Sequence, residues 1–371
     1  MKAVIGLGFG DEGKGLVTNW LDGSLVIRYS GGQQAGHNVV LENGKSHIFS
    51  NFGSGTLKGI PTYWSKYCTV DPVGMMNELN ALIELGTNPI LYIDANSPIT
   101  TPYDKYHNTN SVDNLSHGTC GVGVGSTFNR EEHFHHLTFS DIFNSWVLDT
   151  KLEYIKNFYN DIDLSEQVEE FLVLCNEMTM IENFKLTYGI PEGFYDHING
   201  ISDDIIFEGS QGLLLDQHYG FFPHVTRGNV GTTNILEING GNDVDLYLVT
   251  RAYQTRHGNG PMTNDGIDFD INNPNETNID NEYQGKFRKS ILDLSLLEYS
   301  MNKDEYIRKS GNKNLVITCL DHIDEYVFTY DGLMILCKDE DEFIKRVSDI
   351  LNVEHVFISR SPVSENIKQY K

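Results

Sequence analysis

The first residues that can do chemistry lie in the segment of residues 8–15, which reads Gly-Phe-Gly-Asp-Glu-Gly-Lys-Gly. Glycines let backbone N–H groups approach phosphate oxygens closely, and the start of a helix adds positive potential there. The spacing matches a P-loop in which Lys14 faces the outer phosphates of a nucleotide. Gly15 stands where a P-loop carries Ser or Thr to hold Mg²⁺, so the carboxylate of Asp11 is the candidate metal ligand instead.

The same glycines also fit the Gly-x-Gly-x-x-Gly pattern of dinucleotide-binding folds. That pattern requires an acidic residue at the end of the second strand, about 20 residues further on. The second strand is predicted over residues 24–30 and contains no carboxylate, and a pyrophosphate site has no use for Lys14. We therefore expect a phosphate-binding loop, with a purely structural Gly-rich turn as the remaining interpretation.

A histidine in the next loop could work together with this segment. His37 follows Gly36 within residues 31–38, which read Gly-Gly-Gln-Gln-Ala-Gly-His-Asn. An imidazole in such a loop can donate a proton to a bound phosphate, whereas a lone loop histidine is more commonly a surface residue. Paired with Asp11, however, His37 would offer one nucleotide both a carboxylate base and an imidazole acid.

Two later segments also suit nucleotide binding. Residues 117–125 are Gly-rich and include a Thr hydroxyl, which suits a second phosphate or a plain flexible loop. Gln211 follows a predicted strand, where its amide can donate to and accept from a base edge, and Thr226 is a further phosphate candidate. Three histidines within residues 133–136 have no Cys or carboxylate at a metal-ligand spacing, so we interpret them as a solvated loop.

The basic residues are concentrated towards the last third of the chain. Arg256 precedes a tight turn, and residues 285–289 read Gly-Lys-Phe-Arg-Lys, with three cations in five residues. Such a run alone would be a solvated face. In a chain of net charge −25 with several anion sites, it favours a clamp for a carboxylate.

Composition limits the class of protein. A chain of 371 residues that is 39% hydrophobic can bury a large core, and no linker interrupts it, so residues 1–371 are expected to form one elaborated domain. A net charge of −25 argues against nucleic acid as a partner. Five scattered cysteines favour a reducing, cytoplasmic compartment, and we expect neither a signal peptide nor an apolar run of membrane length.

The elements that must position these residues follow an α/β pattern. Short apolar runs bounded by Gly, Asn and Asp predict buried strands of a mostly parallel central sheet flanked by helices, with long ligand-binding loops. The predicted strands are residues 3–7, 25–29, 90–93, 205–207, 246–250, 315–319, 333–336 and 355–358. The clearest predicted helices are residues 72–85, with Asp71 as N-cap, 164–183 and 340–351.

Together these segments resemble adenylosuccinate synthetase. The resemblance rests on residues 10–15, 31–37, 118–121, 207–216, 255–261 and 318–321, which run in the family's order. It implies a P-loop-like α/β fold and a ligase that joins L-aspartate to C6 of a purine nucleotide at the expense of a nucleoside triphosphate. It also implies Mg²⁺ as cofactor and a homodimer.

The resemblance assigns roles to individual residues. Asp11 takes the proton from purine N1 and binds Mg²⁺, for which the carbonyl of Gly36 is a second ligand. His37 donates to the departing β-phosphate oxygen, and Gln211 acts on the purine base. The aspartate amine then displaces the phosphorylated 6-oxygen.

The substrate nucleotide is expected at Gln34, Thr119, Cys120, Gly121, Gln211 and Thr226. The triphosphate is expected at Gly10, Glu12, Gly13, Lys14, Gly15, Gly36, Asn38, Cys319, Asp321, Ser359, Ser361 and Pro362. The aspartate is expected at Gly285, Lys286 and Arg288.

The chain also departs from the family's pattern. Lys286 stands where an arginine usually reaches the ribose 2′-hydroxyl, which fits a deoxyribonucleotide. Cys319-Leu-Asp replaces the Lys-Leu-Asp that reads guanine in GTP, so ATP or dATP becomes the expected energy donor. The arginine that normally crosses the dimer has no clear equivalent in residues 129–136, where Arg130 is a weak substitute.

These departures resemble the phage branch of the family, 2-aminoadenylosuccinate synthetase, which acts on dGMP. An ordinary synthetase that uses IMP and GTP is the alternative. A catalytically silent nucleotide-binding protein would lack Asp11 or His37, and both are present. A P-loop kinase or GTPase switch is disfavoured by Gly15 and because Asp321 lacks the Asn and Lys of a guanine-binding motif.

Overall fold

A computed structural model describes residues 1–111, 118–196, 200–202, 204–274, 276–278, 283 and 285–371. The strands are β1 (Lys2–Gly6), β2 (Leu25–Arg28), β3 (His37–Val40), β4 (Ser46–Phe49), β5 (Thr62–Trp64), β6 (Leu91–Asp94), β7 (Phe184–Thr187), β8 (Tyr195–Asp196), β9 (Gly200–Ile201), β10 (Ile205–Gly212), β11 (Asp245–Arg251), β12 (Gln254–His257), β13 (Phe287–Ser290), β14 (Leu292–Asp293), β15 (Lys313–Thr318), β16 (Val327–Tyr330), β17 (Leu333–Leu336), β18 (His355–Ile358) and β19 (Lys368–Gln369). The helices are α1 (Lys14–Leu21), α2 (Pro72–Glu84), α3 (Pro102–Asn110), α4 (Val124–Glu132), α5 (Ser145–Phe158), α6 (Ser165–Met180), α7 (Thr233–Ile238), α8 (Leu294–Lys303), α9 (Glu305–Lys309) and α10 (Glu340–Leu351).

A central sheet organises the molecule, with the strand order β19-β18-β15-β11-β1-β10-β2-β5-β6-β7 in the described residues. Its neighbouring strands are parallel, except that β19 runs antiparallel to β18. The carboxyl ends of β1, β10 and β2 therefore meet at one edge, where open α/β sheets bind ligands. The predicted α/β class with a mostly parallel sheet is confirmed.

The core explains why the central strands read as continuous apolar runs. Strand β10 is buried along its whole length, and β2 likewise, because helices and loops cover both faces of the sheet. Apolar side chains of β1 and β11 join one large cluster, whereas α2 and α6 cover a second cluster beyond β5 and β6. Among the described helices, none combines the length and apolar composition needed to cross a bilayer.

Three details differ from the sequence-based expectation. The run of residues 333–336 is a strand, but it pairs antiparallel with β16 in a separate small sheet, and Leu333 and Leu336 are exposed. The prediction that this run is a buried strand of the main sheet is therefore wrong. Strands β5, β7 and β19 of the main sheet were missed, because none of them contains the run of aliphatic residues that marks β1, β2 and β10. Asp71 precedes α2, but its carboxylate pairs with Lys105 and makes no cap bond.

Candidate active site

A cavity of about 1150 Å³ opens at the carboxyl edge of the central sheet. It collects loops that follow β1, β2, β10, β11, β15 and β18. Most residues expected from the sequence line this one cavity. They are Gly10, Asp11, Gly13, Lys14, Gly15, Gln34, Gly36, His37, Asn38, Thr119, Cys120, Gln211, Thr226, Cys319, Asp321, Ser359, Ser361 and Pro362.

The phosphate loop is held from within by Glu12. Its buried carboxylate accepts hydrogen bonds from the amides of Gly8 and Gly10, at 3.0 and 2.8 Å, and from Nζ of Lys14 at 2.6 Å. Gly13 then begins α1 with φ +97°, a left-handed conformation that suits glycine. Glu12 was expected at the triphosphate, but its side chain does not line the cavity; it braces the loop and orients Lys14.

His37 is held by a carboxylate that the sequence analysis did not select. Its Nδ1 lies 2.6 Å from the carboxylate of Glu208, which also accepts hydrogen bonds from the amide and hydroxyl of Ser54. Nε2 of His37 is buried and has no partner among the described residues. Glu208 thereby fixes the ring so that Nδ1 is occupied and Nε2 is free for a ligand.

Burial and the charge of the partner act in opposite directions on each member of this pair. Burial lowers the pKa of His37; the carboxylate of Glu208 opposes that effect but only in part, so the pKa remains below its ordinary value. Burial would raise the pKa of Glu208, but the imidazole of His37, the guanidinium of Arg28 and the hydroxyl of Ser54 outweigh it and lower the pKa. Glu208 therefore remains an anion beside the imidazole.

The absence of a hydroxyl at position 15 has a steric reason. A Cβ on Gly15 would lie 2.7 Å from Cβ of His37 and 3.0 Å from the hydroxyl of Ser54. The first is closer than carbon atoms approach in proteins, so the helix start and the histidine loop can pack together only with glycine there. The usual P-loop Ser or Thr is thus excluded by the placement of His37.

Asp11 faces a second histidine. Its backbone is left-handed at φ +62°, and its Oδ2 lies 3.3 Å from Nε2 of His257. Burial would raise the pKa of Asp11, but the hydrogen bond with His257 and the charges of Arg251 and Lys14 outweigh it, so the pKa is lowered. The carboxylate is therefore ionised and available as a base or as a metal ligand.

A buried ion pair supports the loop that carries Asp11. Arg251, at the end of β11, donates from Nε to the carbonyl of Asp11 and from Nη1 to the carboxylate of Glu276 at 3.0 Å. Asn273 and Asn278 donate to the same carboxylate. Residues 272–274 and 276–278 thus line the cavity and are linked through Arg251 to the phosphate loop.

Two glutamine amides meet on the opposite side. A Cβ on Gly31 would lie 3.0 Å from Nε2 of Gln34 and 3.1 Å from Oε1 of Gln211. Both atoms are buried and lack hydrogen-bond partners among the described residues. Buried amides are almost always satisfied, so unpartnered ones that line a cavity indicate a polar ligand.

The far end of the cavity holds the residues expected near the base of the triphosphate. Cys319 is left-handed at φ +60°, and burial raises the pKa of its thiol. Oδ2 of Asp321 lies 3.7 Å from Nε2 of His322. At the position where the resemblance implies a guanine-binding group, the chain therefore has a neutral thiol and a carboxylate that lies close to a histidine.

Other expected residues lie outside this cavity. Gly121 does not line it, and neither do Gly285, Lys286 and Arg288, although Arg288 lies directly across from the cavity-lining Arg256 on the paired strand. Arg130 cannot cross to a partner subunit, because its guanidinium is fully buried and donates to Asp104 at 3.0 Å. The interpretation of Arg130 as a substitute for the dimer-crossing arginine is therefore wrong.

Comparison with known proteins decides the family. The sequence profile described as adenylosuccinate synthetase matches residues 3–329. The chain belongs to the adenylosuccinate synthetase family. It is therefore a C–N bond-forming ligase of the adenylosuccinate synthetase type, as the resemblance implied. Members of this family bind purine nucleotides and aspartate.

Individual synthetases show the extent of the likeness. The adenylosuccinate synthetase of Buchnera aphidicola subsp. Schizaphis graminum is 30% identical, covering 87% of this chain and 77% of that protein. That of Natronomonas pharaonis is 27% identical, covering 90% of this chain and 82% of that protein.

Two solved structures share the fold. Fully ligated adenylosuccinate synthetase from Plasmodium falciparum has a TM-score of 0.79 at 17% identity, covering 100% of this chain and 99% of that one. Cyanophage S-2L succinoaminodeoxyadenylate synthetase, bound to dGMP and dATP as an energy donor, has a TM-score of 0.65 at 15% identity, covering 99% of this chain and 94% of that one. At these identities the likeness establishes the fold alone.

The residues that sequence reasoning missed support the ones it found. Glu208 is the second residue of the motif of residues 207–216, so the motif itself was the available signal. His257 also lies in a quoted motif, but its approach to Asp11 depends on how β12 is placed against the phosphate loop. Only tertiary packing brings these pairs together.

Proposed function

We propose that this synthetase joins L-aspartate to C6 of dGMP with hydrolysis of ATP or dATP. The products would be N6-succino-2-amino-2′-deoxyadenylate, phosphate and the nucleoside diphosphate, and the pathway would lead to diaminopurine DNA. The convergence of Asp11 and His37 on one cavity carries the proposal for the chemistry.

Asp11 and His37 can serve the two proton transfers of the phosphoryl-transfer step. Asp11 takes the N1 proton, so the purine O6 becomes nucleophilic and attacks the γ-phosphorus. The bond to the β,γ-bridging oxygen breaks, and His37, protonated at Nε2, donates to that oxygen while Glu208 stabilises the imidazolium. The amine of aspartate then attacks C6 and phosphate leaves with the former O6.

The residues present fit Mg²⁺. This ion is commonly bound through one or two carboxylates together with substrate phosphates, and it keeps several waters. Asp11 offers an ionised carboxylate and Gly36 a carbonyl on the cavity wall, so we propose these two as its protein ligands. The ion would neutralise charge that develops on the transferred phosphoryl group.

Two residues support the finer specificity. Cys319 offers neither a positive charge nor a strong donor to the O6 of guanine, which favours adenine as the base of the energy donor. Lys286 is exposed and lies outside the cavity, so no arginine fork is offered to a ribose 2′-hydroxyl from this position. The S-2L synthetase, whose fold is shared, binds dGMP and dATP.

An ordinary adenylosuccinate synthetase that uses IMP and GTP is the alternative. The similar sequences from Buchnera and Natronomonas bear that name, which favours it. Guanine and hypoxanthine share N1–H and O6, so Asp11 and Gln211 could serve either base. We also propose a homodimer, in which a residue other than Arg130 completes the nucleotide site.

The test is a matrix of phosphate release. Purified protein with Mg²⁺ and L-aspartate is given dGMP, GMP or IMP, each crossed with ATP, dATP or GTP. We expect phosphate release to be fastest with dGMP and ATP or dATP, and to require aspartate. Activity confined to IMP with GTP would replace the proposal with the alternative.

A further inference from the structure

Two arginines stand opposite one another beside the cavity. Strands β12 and β13 pair antiparallel, and their register places Arg256 directly across from Arg288. Like charges at such positions are destabilising. Burial and the charge of Arg288 together lower the pKa of Arg256 to about 10. An arrangement of this kind is stabilised by an anion.

Arg256 has no carboxylate partner among the described residues. It is 2% exposed, lines the cavity, and donates to the carbonyls of Pro261 and His224 at 2.7 and 3.1 Å. Its guanidinium carbon lies 4.2 Å above the ring of Phe9. Nε is buried and unpartnered, so the residue retains an unused donor as well as an unneutralised charge.

Arg288 is neutralised from within the chain. Its Nη1 donates to Oδ2 of Asp265 at 2.7 Å and its Nη2 to the carbonyl of Gly260 at 2.6 Å, while Nε is buried without a partner. Asp265 is the carboxylate that contacts this arginine pair within the described part of the chain, and its side chain is 46% exposed. The side chain of Asp265 carries the same CH₂–COO⁻ group as the co-substrate.

We propose that Asp265 is an internal stand-in for a carboxylate of L-aspartate. In the free protein the carboxylate of Asp265 is paired with Arg288. The substrate carboxylate displaces it and binds between Arg288 and Arg256. This inference rests on the proposed use of aspartate. An ion pair so exposed contributes little stability, so a ligand carboxylate that contacts both guanidiniums can replace it.

The decisive variant is Asp265→Asn, which keeps the shape and removes the charge. We expect its KM for L-aspartate to fall about two- to five-fold, the range of a partly exposed ion pair. The value of kcat and the KM values of both nucleotides should change less than about two-fold. Asp265→Glu, which keeps the charge, should retain a KM for aspartate near that of the parent protein.

A matched control is available three residues away. Asp268→Asn makes the same change of charge at an exposed position, and none of the contacts found in the described residues joins Asp268 to either arginine. Its KM for aspartate should remain unchanged. A fall in both variants would assign the effect to overall charge and overturn the proposal.

Other outcomes are equally decisive. An unchanged KM in Asp265→Asn would show that no competition exists, and a raised KM would make Asp265 a residue that positions Arg288 for the substrate.

Succinate, which lacks the amine, should inhibit Asp265→Asn more strongly than the parent by the same factor. If the parent releases no phosphate in an aspartate-dependent way with any nucleotide pair, the proposed function fails before the variants are compared.

Discussion

The phosphate-loop side of the cavity and the cationic strand pair beside it, residues 254–257 and 286–290, hold their functional side chains in different ways. On the first side, Glu12 fixes Lys14 and Glu208 fixes His37, each through buried contacts of 2.6 Å. On the second side, Lys286 is exposed and Arg288 is turned to the partly exposed Asp265. We propose that the difference separates groups that perform phosphoryl transfer from groups that admit the second substrate.

The proposed order of the chemistry would account for this contrast. In that order, phosphorylation of O6 needs donors and a base at fixed positions, which groups held by buried contacts supply. Aspartate would attack only after that step, so its binding groups need not be in place beforehand. Four variants test the two sides in order of decreasing effect.

Asp11→Asn should have the largest effect. Loss of the base should lower kcat about 10²- to 10⁴-fold with the fold intact, as measured by phosphate release and circular dichroism. Asp22→Asn is the matched control, since Asp22 is also left-handed, at φ +48°, but is exposed and distant from the cavity. A substantial residual rate in Asp11→Asn would mean that the base lies elsewhere.

Glu208→Gln should lower kcat by about 10²-fold, because His37 loses the anion that orients it and stabilises its protonated form. Glu78→Gln is the control: Glu78 is another buried carboxylate, bonded to the amides of Ser50 and Asn51 and 3.4 Å from His47, but outside the cavity. Equal losses in the two variants would reduce the role of Glu208 to that of a folding contact.

Gly15→Ser should restore the P-loop pattern and yet impair the enzyme. The new side chain would collide with His37, which should cost about 1–3 kcal/mol of unfolding free energy and lower kcat about 10-fold. Denaturant unfolding and phosphate release measure the two effects. Gly311→Ser, at a site where a Cβ meets no atom within 4 Å, should change neither.

Lys286→Ala should have the smallest effect, less than about three-fold on the KM for the substrate nucleotide, since surface substitutions away from fixed contacts are mild. Lys289→Ala, on the same run and also exposed, is its control. A loss of ten-fold or more in Lys286→Ala alone would show that this side is as firmly engaged with the nucleotide as the phosphate-loop side.

Local signals in the sequence located most of the functional residues on the phosphate-loop side of the cavity. Gly-rich spacing placed Asp11, Lys14 and Gly15, because a phosphate loop is defined over a few consecutive residues. The predicted helix of residues 340–351 has the bounds of α10, because its apolar residues recur at helical spacing and leave the charged residues on the other face. The parallel sheet followed from apolar runs, which burial on both faces produces.

Long-range contacts were beyond such reasoning. The partner of His37 lies 171 residues further along the chain, and the pairing of Asp11 with His257 spans a still longer stretch of sequence, so no local pattern records either. The interpretation of Arg130 was wrong because the sequence gives no indication that this arginine forms a buried ion pair with Asp104. The prediction of a buried strand for residues 333–336 was wrong because apolar composition alone does not distinguish a surface hairpin from a core strand.

The contact between Gly15 and His37 also bears on how such enzymes can diverge. A Cβ at position 15 would meet Cβ and the backbone carbonyl carbon of His37, and not its imidazole ring. Replacing the imidazole by another side chain would therefore make no room for a hydroxyl at position 15. A library that randomises position 15 in an otherwise unchanged chain should yield glycine alone among its fully active members.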